Sequence, residues 1–370
     1  MNRPKKISLT YEISRRCNLN CAFCYNAWKM DSESSRVGSI SSSDDTSGQL
    51  SSRQTLFLLA KAIDEMECSD ISLSGGEPLL REDIFDVISF LKKRNVKVSL
   101  ITNGAFLTED AIDKCLSSGL DTFQVTLLSD KPELHNRLAG GEVFDKAIEA
   151  ILNIKKRNGT VYTFFVGLAD NIHTFKGTME LNVLLGVSNV ALGRFTPGGS
   201  GLRGWQNYMP APDMIDGALR AADEISRKHR ISVSVSTPIL PCLNDISRYK
   251  GIRFAFCAVG NKDHSLFGID PEGNLKVCSH SPHTLGNLLE RPFEQLIGDS
   301  FLEDFISALP PFCRDCPEVS ICRGGCRSSA HVCYGSLAEE DPYLKLWKAR
   351  AKKPLASSFK TATGESTDDS

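Results

Sequence analysis

The chain has 370 residues, 41% hydrophobic and 24% charged, enough for two domains of ordinary size in a soluble globular protein. A net charge of −2 gives no electrostatic reason to bind nucleic acid or an anionic membrane. The basic start, Met1-Asn2-Arg3-Pro4-Lys5-Lys6, lacks the apolar stretch of a signal peptide, and no apolar run approaches the length of a membrane span; the expected location is the cytoplasm.

The first strand is expected at Ile7–Ile13. It delivers the chain to Cys17-Asn18-Leu19-Asn20-Cys21-Ala22-Phe23-Cys24, three cysteines at C-x3-C-x2-C spacing. Three thiolates on one tight loop can hold three corners of an iron–sulfur cube, and no other Cys or His follows until Cys68. A cube held at three corners has one iron open to a further ligand. Residues 31–52 are rich in Ser, Gly and Asp and read as a flexible insertion, a spacer more readily than a lid.

Helical periodicity begins at Gln54–Ile63. Strands are then expected at Asp70–Leu73, Val96–Ile101, Thr122–Leu128, Val161–Leu168 and Asn189–Phe195. The intervening helices are Asp83–Leu91, Thr108–Ser117, Phe144–Lys156 and Met179–Leu185. Six strands alternating with helices imply a parallel sheet. Six units fall short of a closed eight-unit barrel, so the expected fold is α/β: a partial (β/α)6 TIM-like barrel over residues 1–200. The three-cysteine loop, Gly75-Gly76-Glu77-Pro78 and Thr102-Asn103-Gly104 all fall at C-terminal strand ends, where such a fold places its site. A bridging region is expected over 201–250, with a helix at Asp213–His229 and a strand at Ile231–Val235. A small cysteine-rich α+β iron–sulfur domain follows over 251–345. Residues 346–370 read as a polar, disordered tail.

Thirteen cysteines are many for a reducing compartment, where clustered cysteines read as metal ligands. Cys68, Cys115 and Cys242 stand alone; Cys68 and Cys115 read as buried small apolar residues. The rest form the front triplet and a back group of seven: Cys257, Cys278, Cys313, Cys316, Cys322, Cys326 and Cys333. By spacing alone the back group reads equally as structural zinc.

The triplet with an aromatic, Phe23, before its last cysteine, followed by a second strand ending in Gly-Gly-Glu-Pro, resembles the radical S-adenosylmethionine superfamily. The back group, C-x15-G-x4-C then C-x2-C-x5-C-x3-C then C, is similar cysteine by cysteine to the SPASM extension of that superfamily. The resemblance covers residues 7–340. It implies a [4Fe–4S] cluster on Cys17, Cys21 and Cys24 whose open iron chelates S-adenosylmethionine. One electron from the reduced cluster then cleaves the sulfonium to give a 5′-deoxyadenosyl radical, which abstracts a substrate hydrogen. It further implies that Gly75, Gly76, Glu77, Pro78, Asn103, Thr126 and Arg137 bind the cofactor. In this reading the glycines admit the ligand close to the backbone, and Glu77 accepts from the methionine ammonium. The usual acid of the fourth strand is displaced to Asp130 or lost. Arg137 reads equally as an exposed residue of a helix start.

The resemblance also implies two auxiliary [4Fe–4S] clusters, the outer on Cys313, Cys316, Cys322 and Cys333 and the inner on Cys257, Cys278 and Cys326. Three cubes, with the cofactor's corner open, need eleven ligands, and the matched positions supply ten. The inner cluster therefore uses Cys242, uses a non-cysteine ligand, or stays open.

Such clusters accompany oxidation of peptides, so the expected reaction is radical modification of a residue in a peptide or protein: crosslinking, dehydrogenation or epimerisation, foremost in maturation of a ribosomally synthesised peptide. Formylglycine formation of the sulfatase-maturing type is the alternative. Those enzymes place an Asp after the glycine-spaced cysteine, where this chain has Cys278-Ser279-His280. Asp270 and His280 are nearby substitutes, and Asp270 reads more strongly as a hairpin-turn residue. A non-catalytic electron carrier or zinc scaffold is the alternative of another class. Expected partners are the substrate and an external one-electron reductant of flavodoxin or ferredoxin type. The first strand begins at residue 7, leaving no room for a leader-binding domain before it, so leader recognition is expected to be direct or to use a separate protein. Arg203, Trp205 and Tyr208 read as channel residues or as a packed linker.

Overall fold

A computed structural model describes residues 4–29 and 49–350. The body of the expected insertion, 31–48, and most of the expected tail, 351–370, lie outside the described residues.

Strand β1 (Ile7–Glu12) turns alternate side chains to its two faces: Ile7, Leu9 and Tyr11 are buried in the core, while Thr10 faces the lumen of the sheet. The period of two repeats around the sheet. In β4 (Thr122–Thr126), Phe123 and Val125 are core residues, and Gln124 and Thr126 point inward. The other parallel strands of the front half are β2 (Cys68–Ser74), β3 (Lys97–Thr102), β5 (Val161–Gly167) and β6 (Asn189–Arg194). Between them run α1 (Ser52–Met66), α2 (Ile84–Lys93), α3 (Glu109–Ser117), α4 (Pro132–Ala139), α5 (Phe144–Lys156) and α6 (Phe175–Leu184). Helix α1 starts on a capping box between Ser51 and Gln54. Just before it, Leu50 is buried and its N–H bonds Pro271 O at 3.2 Å, so the C-terminal end of the expected insertion is pinned to the back of the chain.

The expected α/β architecture with a partial barrel is present, but its sheet is longer than six strands. After α7 (Trp205–Tyr208) and α8 (Pro212–His229), strand β7 (Ser232–Val235) pairs parallel with β6, and β8 (Ile252–Phe254) parallel with β7. At the other edge β9 (Ser265–Ile269) pairs parallel with β1, and β10 (Asn274–Lys276) and β11 (Thr284–Asn287) extend it antiparallel. The order is β11-β10-β9-β1-β2-β3-β4-β5-β6-β7-β8. β11 and β8 are its two ends, so the sheet stays open. β7 is the strand expected at Ile231–Val235; β8, β9 and β10, of three to five residues, carry too few residues for an alternation to stand out in sequence.

Short helices complete the described chain: α9 (Phe293–Leu296), α10 (Ser300–Ser307), α11 (Val319–Cys322), α12 (Arg327–Tyr334) and α13 (Pro342–Arg350). Residues 346–350, expected to begin the tail, are the last part of α13. The back of the chain is tied to the barrel by a fully buried ion pair, Arg194 Nη2 to Asp341 Oδ2 at 2.9 Å. The same carboxylate accepts from Cys326 N at 2.7 Å and Tyr343 N at 2.8 Å. Among the described residues no helix is long and apolar enough to cross a membrane.

Candidate active site

The loop after β1 is held from four directions. The β1–β2 ladder runs on into it: Ile13 N bonds Ser74 O at 2.9 Å, Gly76 N bonds Ser14 O at 2.7 Å and Glu77 N bonds Arg16 O at 2.7 Å. A Cβ on Gly75 would lie 2.4 Å from Ser14 O, and one on Gly76 would lie 2.0 Å from Arg16 O. The close approach these glycines permit is therefore to the chain leading into the cysteines. From β3, Asn103 Nδ2 donates to Asn18 Oδ1 at 2.9 Å. From the end of α4, Gly140 packs against Asn20, where a Cβ would meet its carbonyl at 2.6 Å. From beyond β6, Gly201 N bonds Cys24 O at 3.1 Å, and a Cβ on Gly199 would meet Asn26 O at 2.3 Å.

Held in this way, Cys17, Cys21 and Cys24 line one cavity of about 380 Å³ at the strand ends. Thr10, Asn103, Gln124 and Thr126 give it polar wall positions, and Ile101, Leu128, Val166 and Phe195 give it apolar ones. Burial pushes the thiols of Cys17 and Cys21 up, so without a metal these two would stay protonated and a metal would displace their protons. Lys29 sits among the three: burial opposes its charge, but Cys24, Cys17 and Cys21 hold its ammonium above the ordinary lysine value. Its Nζ is fixed on Leu19 O at 3.1 Å. A cation beside three partly buried thiols offsets the negative charge of a thiolate-ligated cluster, and the donor set fits one.

Of the seven expected cofactor contacts, Gly75, Gly76, Asn103 and Thr126 line the cavity; Glu77, Pro78 and Arg137 are not among its lining residues. The Glu77 carboxylate is fully buried and turned to the end of β3. It accepts from Thr102 Oγ1 at 2.8 Å, Asn103 N at 3.0 Å and Leu79 N at 3.3 Å. Burial raises it to about 7 against these three hydrogen bonds. Arg137 is mostly exposed and pairs with Asp170 at 2.9 Å. Asp130 pairs with Lys131 at 3.1 Å and does not line the cavity either.

Another stretch of the cavity wall belongs to the back of the chain: Cys278, Ser279 and His280. The Tyr25 ring, directly after Cys24, lies 4.3 Å from the His280 ring. Beneath them Lys276 bonds the buried Glu12 carboxylate at 3.1 Å and Ser279 O at 3.1 Å. Asp270 is a turn residue, accepting from Glu272 N, Asn274 N and Asn274 Nδ2 at 2.8–3.0 Å. Sequence reasoning assigns no role to Tyr25, Lys29 or the 198–201 clamp. The Gly198-Gly199-Ser200-Gly201 run is the available signal, since three glycines in four residues mark a close approach.

The back cysteines fall into two groups. Cys257, Cys278 and Cys326 feel one another's charge, and Cys278 Sγ lies 3.1 Å from Ser328 Oγ. Cys313, Cys316 and Cys322 line a small pocket together with Cys242. Burial, then the charges of Cys322, Cys313 and Cys316, push the Cys242 thiol up to about 12. Cys333 is not part of that pocket's lining; its charged neighbours are Asp341 and Cys326. Cys68 and Cys115 are buried in the core. Among the described residues no three His, Cys, Asp or Glu side chains are arranged to hold a single metal ion. Thiolates around a cubic cluster each bind a different iron and stand further apart than ligands of one ion.

Trp205 is buried and meets Tyr334 edge-on at 6.5 Å, and Tyr208 packs on Phe195 at 5.6 Å; neither lines the cavity. A larger open hollow of about 660 Å³ on the outer surface of α8, walled by charged residues such as Arg220 and Asp223, contains no cysteine.

Comparison with known proteins agrees with this geometry. The family model described as the radical SAM superfamily matches residues 11–181. Solved structures share the fold along nearly the whole chain. The histidine-tagged form of anSMEcpe with bound AdoMet has a TM-score of 0.69 at 17% identity, covering 93% of this chain and 91% of that one. Streptococcus suis SuiB, bound to its precursor peptide SuiA, has a TM-score of 0.68 at 15% identity, covering 92% and 75%. Native anSMEcpe with bound AdoMet and Cp18Cys peptide has a TM-score of 0.68 at 17% identity, covering 93% and 95%. The matched segment contains the end of β1, the cysteine triplet, the Gly75–Pro78 turn and β2 to β5 with most of their helices, and over these residues the chain carries a domain of the radical SAM superfamily.

Proposed function

We propose that this protein is a radical S-adenosylmethionine enzyme that oxidatively modifies a residue in a peptide or protein, foremost in maturation of a ribosomally synthesised peptide. The observation that carries this reading is the shared cavity: the front triplet lies on one wall, and Cys278 of the back group lies on another. In this reading residues 1–200 hold the cofactor, 201–250 bridge, and 251–345 hold two auxiliary clusters. When bound, the front cluster with S-adenosylmethionine supplies a 5′-deoxyadenosyl radical for hydrogen abstraction, and the auxiliary clusters supply acceptors for the electron an oxidised product gives up.

The protein's own residues place and enclose. Cys17, Cys21 and Cys24 hold the front cluster, with Lys29 balancing its charge. Gly75, Gly76, Asn103 and Thr126 line the space beside it, and Gln124 adds a polar edge. Ile101, Leu128, Val166 and Phe195 keep water from the substrate carbon. Tyr25 against His280 joins the Cys24 wall to the Cys278 wall. Glu77 acts by positioning, fixing the end of β3 so that Asn103 meets the cysteine loop. A peptide substrate is supported by the fold shared with SuiB bound to SuiA and with anSMEcpe bound to a peptide. The formylglycine reading is the weaker one, because Ser279 stands where those enzymes carry an Asp. The reaction also needs an external one-electron reductant.

The test is anaerobic reconstitution, reduction, and incubation with S-adenosylmethionine and short peptides encoded beside this gene. Release of 5′-deoxyadenosine, abolished in Cys17→Ala, is expected, with a peptide product lighter by a pair of hydrogens. No release from protein with a fully formed front cluster overturns the enzyme reading. A product of unchanged mass with an inverted centre replaces oxidation by epimerisation.

A further inference from the structure

We infer that Cys242 is the fourth thiolate of the outer auxiliary cluster, closing a set of Cys242, Cys313, Cys316 and Cys322, and that Cys333 is not a ligand of that cluster. This rests on the auxiliary-cluster reading above and changes its ligand set: the family's interleaving would close the outer cluster with Cys333.

The geometry favours Cys242. All four thiols line one pocket, and its remaining walls are mainly apolar, with Leu240, Phe312, Val319 and Leu344 among them. Glu318 supplies the carboxylate there, and soft iron–sulfur centres prefer thiolate. Cys313 and Cys322 are buried. The 313–322 segment is a chain of tight turns: Cys316 N bonds Cys313 O at 3.3 Å, Val319 N bonds Cys316 O at 3.0 Å and Gly325 N bonds Cys322 O at 3.0 Å. Three ligands therefore come from one short loop, and the fourth must come from elsewhere in the chain.

Cys242 arrives on a turn of its own, with Leu243 N and Asn244 N both bonded to Leu240 O at 2.9 and 3.0 Å. That turn is bolted down on both sides. Asn244 Nδ2 donates to Pro212 O at 2.7 Å, and Tyr343 Oη donates to Asn244 Oδ1 at 3.1 Å. Its place beside the other three thiols is thus built into the junction of α8 and α13.

Cys333 is carried on α12, the helix that starts from Cys326 of the inner set. It lines no part of the pocket. Assigning Cys242 to the outer set also changes the ligand arithmetic: Cys333 is left on the side of Cys326 and the inner set, and eleven cysteines then stand against eleven required positions.

Iron counting on paired variants tests this. Wild-type protein reconstituted anaerobically should hold about twelve irons per chain as three cubes. Cys242→Ala and Cys313→Ala should each fall to about eight, and the double variant should fall no further, because both residues serve one cube. Cys333→Ala combined with Cys313→Ala should lose iron beyond Cys313→Ala alone, or Cys333→Ala should lose none. Retention of about twelve irons in Cys242→Ala, or additive loss in the Cys242/Cys313 double variant, overturns the inference. So does a Cys333→Ala loss that the Cys313 variant fully masks. A wild-type content of only about four irons instead overturns the auxiliary-cluster reading on which it rests. Retained iron in the other two cubes and an unchanged circular dichroism spectrum exclude misfolding. A measurement without substitution stands beside it: alkylation and peptide mapping of intact holoprotein and of chelator-stripped protein. Cys242 should be shielded and released together with Cys313, Cys316 and Cys322. Free alkylation of Cys242 in the holoprotein overturns the assignment.

Discussion

Glu77 shows how one buried carboxylate can be tied to a site without lying on the cavity wall. Its oxygens accept from a hydroxyl and a backbone N–H at the end of β3 and from the N–H of Leu79 in its own turn. Glu77→Ala would strand these donors in a dry environment, so a loss of about 2–4 kcal/mol is expected. The thermal midpoint measures it, and front-cluster iron should fall with it. His135 makes a different statement. It is buried on the cavity wall, and its Nδ1 accepts from Leu128 N at 3.2 Å, so this nitrogen must be unprotonated. Burial lowers its pKa to about 4. An imidazole depressed in the fold and ordinary when unfolded leaves stability untouched above the unfolded value. Stability then falls as pH drops below about 6.5 towards the folded value. Between pH 6.5 and 5 the wild type should lose up to about 1.4 kcal/mol per pH unit more than His135→Gln. Denaturant midpoints at several pH values check this, and parallel slopes would reject it.

At the scale of elements, the cysteine loop is a product of the pieces packed around it. Gly76 is the sharpest case: the obstacle to a side chain is backbone, Arg16 O, which cannot swing away. Gly76→Ala should therefore push the Cys17 side of the loop off its place, giving protein that folds but retains less than half of its front-cluster iron after reconstitution. Retention of full iron would show that the loop can give way. Much of this level was legible in sequence. Phe144–Lys156 is a helix with the expected bounds, and β2, β3, β5 and β6 lie within about two residues of expectation, because apolar spacing records which face is buried. Three things were hidden. Helix α4 opens with Lys131-Pro132-Glu133 and carries few apolar residues, so no stripe announces it. Glu77 was read as a cofactor contact because a carboxylate after two glycines is visible in sequence, while its partners, 25 and 26 residues further on, are not. The position of Cys242 was hidden for the same reason: its neighbours are at least 71 residues away in the chain.

Over the whole molecule, Arg194 and Asp341 form the bolt between barrel and back. The pair has no solvent exposure, and Asp341 also holds the N–H of Cys326. Removing one member leaves an uncompensated buried charge, so Asp341→Ala should cost about 3–5 kcal/mol. Because Cys326 loses its anchor too, iron should be lost from the back of the molecule before the front. Mössbauer quantification with the thermal midpoint checks both. Equal iron loss from all sites would mean that the bolt acts only on global stability.

The sheet order has a consequence for how the protein is made. Among the strands of this sheet β1 is the first to leave the ribosome, yet it lies inside the finished sheet between β2 and β9. Its second neighbour, Ser265–Ile269, is synthesised some 250 residues later, roughly 12 to 50 seconds at ordinary translation rates. Throughout that interval one edge of β1 is an unpaired template for any passing strand. The supports of the cysteine loop, the last of them at Gly199 and Gly201, are all synthesised before β9, so it is the flank of β1, not the loop, that waits for the back third of the chain.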